Sequence, residues 1–76
     1  MKIEFKVIGR NIRELREERG MIQEEMAERV KMAAVYYDRI EKGERIVSLE
    51  QLANIAWVLK VEIAALLRGA LVYAAD

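Results

Sequence analysis

The stretch Gln23-Glu24-Glu25-Met26-Ala27-Glu28-Arg29-Val30-Lys31-Met32-Ala33-Ala34-Val35-Tyr36-Tyr37-Asp38-Arg39-Ile40 carries two helical patterns divided by a short break at residues 31–33. In the first, residues 23–30, Met26, Ala27 and Val30 recur at helical spacing. Glu24 and Glu25 stand in its first turn, where the positive end of the helix dipole favours acids. The second pattern, residues 34–42, puts Tyr36 and Ile40 four apart on one inward face, and Gly43 is its C-terminal stop. Two short helices joined by so tight a turn decide the reading of the chain around them.

Upstream, Ile8, Ile12 and Leu15 form the apolar face of a helix that Gly20 ends. Downstream, Ser48 followed three residues later by Gln51 is a capping box, opening a helix whose inward stripe is Leu49, Leu52, Ile55, Ala56 and Leu59. A last helix over residues 62–68 buries Ile63, Leu66 and Leu67 before Gly69. Residues 1–7 alternate Met1, Ile3, Phe5 and Val7 with charged residues, the period of a half-buried strand. Their only strand-like partner is residues 70–75, and the pairing can form within one chain or between two. The expectation is one all-α domain over residues 1–76, a compact five-helix bundle at 8–68 flanked by a terminal two-stranded pairing.

Composition narrows the chemistry. Seventy-six residues leave no chain for a second core. With no Cys and no His, disulfides, thiolate or imidazole metal sites and Cys or Ser-His nucleophiles are excluded. Glu14, Glu17, Glu18, Glu24, Glu25 and Glu28 belong to charged helix faces with no sign of a pocket, so the sequence supplies neither enzyme nor cofactor. Thirteen basic residues balance thirteen acidic ones, which argues against a grossly basic nucleic-acid binder but allows a locally basic face. No apolar run approaches the roughly 18 residues of a membrane span, so a cytoplasmic protein with no membrane partner is expected. The chain has no Pro, no Thr and a single Ser, yet 54% of it is apolar, more than so small an interior can hide.

The segments Ile8-Gly9-Arg10-Asn11-Ile12-Arg13-Glu14-Leu15-Arg16, Gln23-Glu24-Glu25-Met26-Ala27, Tyr36-Tyr37-Asp38-Arg39-Ile40-Glu41-Lys42-Gly43-Glu44-Arg45 and Ser48-Leu49-Glu50-Gln51-Leu52 occur in a recognisable order and spacing. Over about residues 8–68 the chain resembles the Cro/repressor-type helix-turn-helix family, and its size is similar to that of the restriction-modification controller proteins. The resemblance implies a homodimer whose third helix enters the DNA major groove while the second crosses the phosphate backbone. It further implies contacts to DNA from Gln23, Ala34, Val35, Asp38, Arg39, Lys42 and Arg45.

Departures from the family pattern fall on that same face. Ile22 stands where a Ser or Thr caps the second helix, at a cost of about 1 kcal/mol. Lys31 occupies the turn position usually given to Gly. Ala33, Ala34 and Val35 open the reading helix where polar residues are usual; they can touch a thymine methyl but cannot hydrogen-bond a base edge. Asp38 adds a charge that phosphates repel, and Ile46 and Val47 replace a polar loop. Trp57 lies on the fourth helix away from its apolar stripe. Arg39 has Asp38, Glu41 and Glu28 within reach as internal partners.

Two functional expectations follow. The favoured one is a non-enzymatic protein-interaction module, engineered on the helix-turn-helix scaffold. In it Ile22, Ala33, Ala34, Val35, Asp38, Ile46, Val47 and Trp57 form an interface for a second copy or a designed target. The alternative is a homodimeric, sequence-specific DNA-binding transcriptional regulator.

Overall fold

Ile8, Ile12, Met26, Ile40, Ile55, Leu59 and Leu66 are withdrawn from water together, so every helix contributes to one core. The computed structural model describes residues 1–74. Its elements run β1 (Lys2–Ile3), α1 (Phe5–Glu18), α2 (Gln23–Arg29), α3 (Ala34–Glu41), α4 (Leu49–Leu59), α5 (Ile63–Leu66) and β2 (Leu71–Val72). The five-helix reading holds, with a short terminal sheet. That sheet is made within one chain: Lys2 faces Val72 and Ile3 faces Leu71 in antiparallel register. Ala75, at the end of the expected second strand, lies outside the described residues.

The first strand is much shorter than residues 1–7. Phe5, Ile8 and Ile12 follow a helical spacing that overlaps the alternating pattern, and burial of that face carries α1 back to Phe5. Gly9 is buried where α1 crosses the end of α3, and a Cβ there would strike the main-chain carbonyls of Ile40 and Glu41. Only glycine lets the two backbones approach so closely.

In α3 the inward face is carried by Tyr37, Ile40 and Glu41, and Tyr36 is only half-buried. Both Tyr36 and Tyr37 stand at helical spacing from Ile40, and the expectation chose the wrong one. The capping box of α4 forms as read, with Ser48 Oγ accepting from Gln51 N at 3.1 Å and Gln51 Oε1 accepting from Ser48 N at 3.0 Å. Leu49, placed on the inward stripe from sequence, is exposed because that stripe outruns the core by one turn. Val47, expected on an interface, is buried. It stands immediately before the cap and Leu52 stands four residues after it, the arrangement of a hydrophobic staple, and both belong to the core.

Lys31 takes a left-handed backbone conformation, φ 57°, so the turn between α2 and α3 has the geometry that favours glycine but holds a lysine. Among the described residues no helix is long and apolar enough to cross a membrane.

Candidate nucleic-acid interface

The relative placement of α1, α2 and α3 is fixed by a buried polar cluster around Glu41. Arg16, one turn beyond Ile12 on the inner face of α1, donates from Nε to Glu41 Oε2 at 2.7 Å and from Nη2 to Oε1 at 3.1 Å. Its Nη1 donates to the carbonyl of Met21 at 2.7 Å, which pins the loop between α1 and α2. Tyr37 donates its hydroxyl hydrogen to Glu41 Oε2 at 2.5 Å. Gln23 Nε2, from the start of α2, donates to Glu41 Oε1 at 3.0 Å and to Asp38 Oδ1 at 2.9 Å.

Among the described residues no buried side-chain nitrogen or oxygen is left without a partner, which removes the main penalty of a polar core. Hydrogen bonding to Glu41 raises the Arg16 pKa further above its ordinary value. Burial, followed by the bond to Glu41, pushes the Tyr37 phenol well above the usual tyrosine range. The sequence reading gave none of this. Its signal was an arginine and a glutamate each next to the apolar positions of a helix, Arg16 after Ile12 and Leu15, and Glu41 after Ile40.

This cluster holds the outer face of α3 outward. Ala33, Ala34 and Val35 are exposed, with Val35 at 66% of its full accessibility. Asp38 is neither a free anion nor part of an apolar patch. Gln23 and Lys42 Nζ, the latter at 3.0 Å, both engage its carboxylate. Those two bonds lower the Asp38 pKa, and the same ion pair raises that of Lys42. Asp38 and Glu41, the two nearest acids expected to pair with Arg39, are thus occupied, and among the described residues Arg39 forms no ion pair.

In the loop after α3, the Arg45 guanidinium lies over the Tyr36 ring, 5.3 Å from its centroid. The Tyr36 hydroxyl accepts from Gln51 Nε2 at 3.3 Å, so α4 steadies the ring on which Arg45 rests. Ile22 begins α2 with no side-chain cap, and only the reciprocal half of a capping box exists, Ile22 N to Glu25 Oε1 at 3.2 Å.

Two residues of the expected apolar interface do not supply exposed apolar surface. Val47 is in the core, and Asp38 is saturated with polar partners. Trp57 is 83% exposed and borders two shallow cavities, one with Ala56, Lys60 and Val61 and the other with Arg29 to Lys31, Asn54 and Val58. Neither cavity includes Ile22, Val35 or Ile46.

Residues 12–66 match the family model described as helix-turn-helix. The chain belongs to the helix-turn-helix family. Among solved structures, this helix-turn-helix chain is similar to the restriction-modification controller protein C.AhdI from Aeromonas hydrophila: 32% identity, TM-score 0.78, covering 82% of this chain and 94% of that one. It is similar also to SinR, the master regulator for biofilm formation, in a structure determined in complex with DNA, with 33% identity and TM-score 0.74 over 79% of this chain and 97% of that one. A third neighbour is the clp gene regulator ClgR from Corynebacterium glutamicum, with 26% identity and TM-score 0.82 over 90% of this chain and 88% of that one. Comparison with curated protein sequences gives no significant match.

The family and these regulators overturn the expectation that the scaffold had become an engineered interaction module. The apolar positions on α3 do not remove the chain from the regulators it resembles, and a designed target finds no support among them. The family and its neighbours are transcription regulators rather than enzymes.

Proposed function

We propose that this protein is a homodimeric, sequence-specific DNA-binding transcriptional regulator. The observation that carries the reading is its 33% identity, over most of its length, to a regulator whose structure holds DNA. Within that reading α3 lies in the major groove, with Ala34, Val35 and Arg39 toward the bases. Arg45, steadied on Tyr36, and Lys42 meet phosphates. Gln23 and Asp38 act as positioning residues, since their bonds tie the start of α2 to α3.

The electrostatic share of binding follows the number of phosphates neutralised, each adding about 0.9 to the slope of log affinity against log salt, rather than the zero net charge of the chain. With only Lys42 and Arg45 set at phosphates in each protomer, the salt dependence is shallow. For the homodimer we assign the contact to the α4 surface around Trp57, since exposed tryptophans are enriched among the residues that dominate interfaces. This reading puts the chain in the cytoplasm with its operator.

The test is a selection of binding duplexes from a random-sequence pool with the full chain at low salt, followed by a fluorescence-anisotropy titration of the selected site against a scrambled duplex as salt rises. Tighter binding to the selected site than to the scrambled duplex, weakening as salt rises, supports the reading. A folded chain that binds no duplex at low salt overturns it.

A further inference from the structure

We infer that the operator is read through thymine methyl groups and a guanine, by Val35 and Arg39 respectively, a reading that rests on the DNA-binding function proposed above. Val35 and Arg39 are both exposed and stand four residues apart, so they share one face of α3. The remaining polar groups on this face are engaged internally. Asp38 accepts from Gln23 and Lys42, and Gln23 spends the hydrogens of its amide on Asp38 and Glu41. Gln23 therefore cannot offer the donor half of a bidentate contact to adenine without breaking the bonds that orient α2 on α3.

What α3 presents outward at its start is methyl surface from Ala34 and Val35, and the apolar feature of the major groove is the thymine C5 methyl. One turn further on, Arg39 carries a guanidinium free of ion pairs among the described residues, and the matching acceptors in the groove are guanine O6 and N7. Four residues of helix rise about 6 Å, close to two base steps at roughly 3.4 Å each. Each half-site then holds a thymine and a guanine within about two steps of one another. Hydrogen-bonded readout of adenine by α3 is absent from this scheme, so base preference rests on two side chains.

The experiment selects binding duplexes from a random-sequence pool with the full chain, then modifies the selected site. Replacing thymine by uracil removes only the C5 methyl, and replacing guanine by 7-deazaguanine removes only the N7 acceptor. The expected results are a loss of about four-fold for each contacted methyl and about ten-fold for the guanine. Val35→Ser abolishes the uracil effect, and Arg39→Gln abolishes the 7-deazaguanine effect. Both positions are exposed, and circular dichroism checks that each variant keeps its helices. A selected site indifferent to uracil, or a uracil effect that persists in Val35→Ser, overturns this inference and leaves the DNA-binding reading standing. Failure to bind any duplex overturns both.

Discussion

Arg16 and Glu41 form a two-bond ion pair between α1 and the end of α3, with both side chains almost wholly out of water. Such a pair offers little net stability over an apolar substitute, yet removing one member strands the other, at a cost of about 3–5 kcal/mol. That is a large part of the whole stability of so small a domain. Arg16→Met is expected to lower the unfolding free energy by about that amount in urea denaturation. The double variant Arg16→Met, Glu41→Leu is expected to recover part of the loss, because no buried charge remains. A single variant costing under about 1 kcal/mol would show that Glu41 does not depend on Arg16.

Ile22 has the extended backbone of a helix cap and no acceptor in its side chain, while Glu25 already returns its carboxylate to the Ile22 N–H. Ile22→Ser supplies the missing half of the box. Thermal unfolding is expected to show a gain of about 1 kcal/mol. No gain would mean that the exposed isoleucine contributes packing equal to the lost cap.

Lys31 holds a φ of 57°, a conformation that costs a residue with a Cβ about 1–2 kcal/mol. Glycine relieves that cost but adds freedom to the unfolded chain. Lys31→Gly is therefore expected to stabilise by about 0.5 kcal/mol, measured by denaturant midpoint at unchanged slope. Destabilisation would mean that the lysine side chain makes a compensating contact.

The helices are legible largely because several of their ends carry local punctuation. Gly20, Gly43 and the Ser48/Gln51 box mark ends that depend on local backbone chemistry, and the structure puts them there. The face of a short helix was harder to read, since Tyr36 and Tyr37 both keep helical spacing from Ile40 and only the Glu41 cluster separates them. Val47 was misplaced for a similar reason: a loop valine looks exposed until the cap that follows it turns it inward. In the site, the apolar letters at Ala33 to Val35 were read correctly as exposed. The error was to treat their lack of hydrogen-bonding groups as loss of DNA binding. The bonds from Gln23 to Asp38 and Glu41 and from Arg16 to Glu41 span 15 to 25 residues of sequence, beyond any local pattern.

Burial and the bond to Glu41 hold the Tyr37 phenol neutral in the folded state well above the usual tyrosine pKa of about 10. Below that value Tyr37 is protonated in both states and adds nothing to the pH dependence. Above it the unfolded chain loses the proton and the folded one does not. Tyr37 therefore lowers stability by about 1.4 kcal/mol for each pH unit above 10. Urea denaturation at rising alkaline pH, followed with tyrosinate absorbance, is expected to show the phenol ionising together with unfolding. In Tyr37→Phe that component of the slope should disappear. Ionisation of every tyrosine before unfolding would show that the phenol is accessible.

Trp57 is the most exposed large apolar side chain of α4, where burial of an aromatic surface has no intramolecular outlet. If it anchors the homodimer, truncation removes an interface residue worth about 2 kcal/mol or more, close to a thirty-fold change in the dimer dissociation constant. Trp57→Ala should produce that weakening in sedimentation equilibrium, while the unfolding free energy of the dilute, monomeric chain stays within about 0.5 kcal/mol of the parent. The dilute condition matters because a dimer gains apparent stability with concentration, and that gain would hide an intrinsic change. An unchanged dimer would move the contact elsewhere. A monomer destabilised by the substitution would place the indole in the core, against its exposure in the structure.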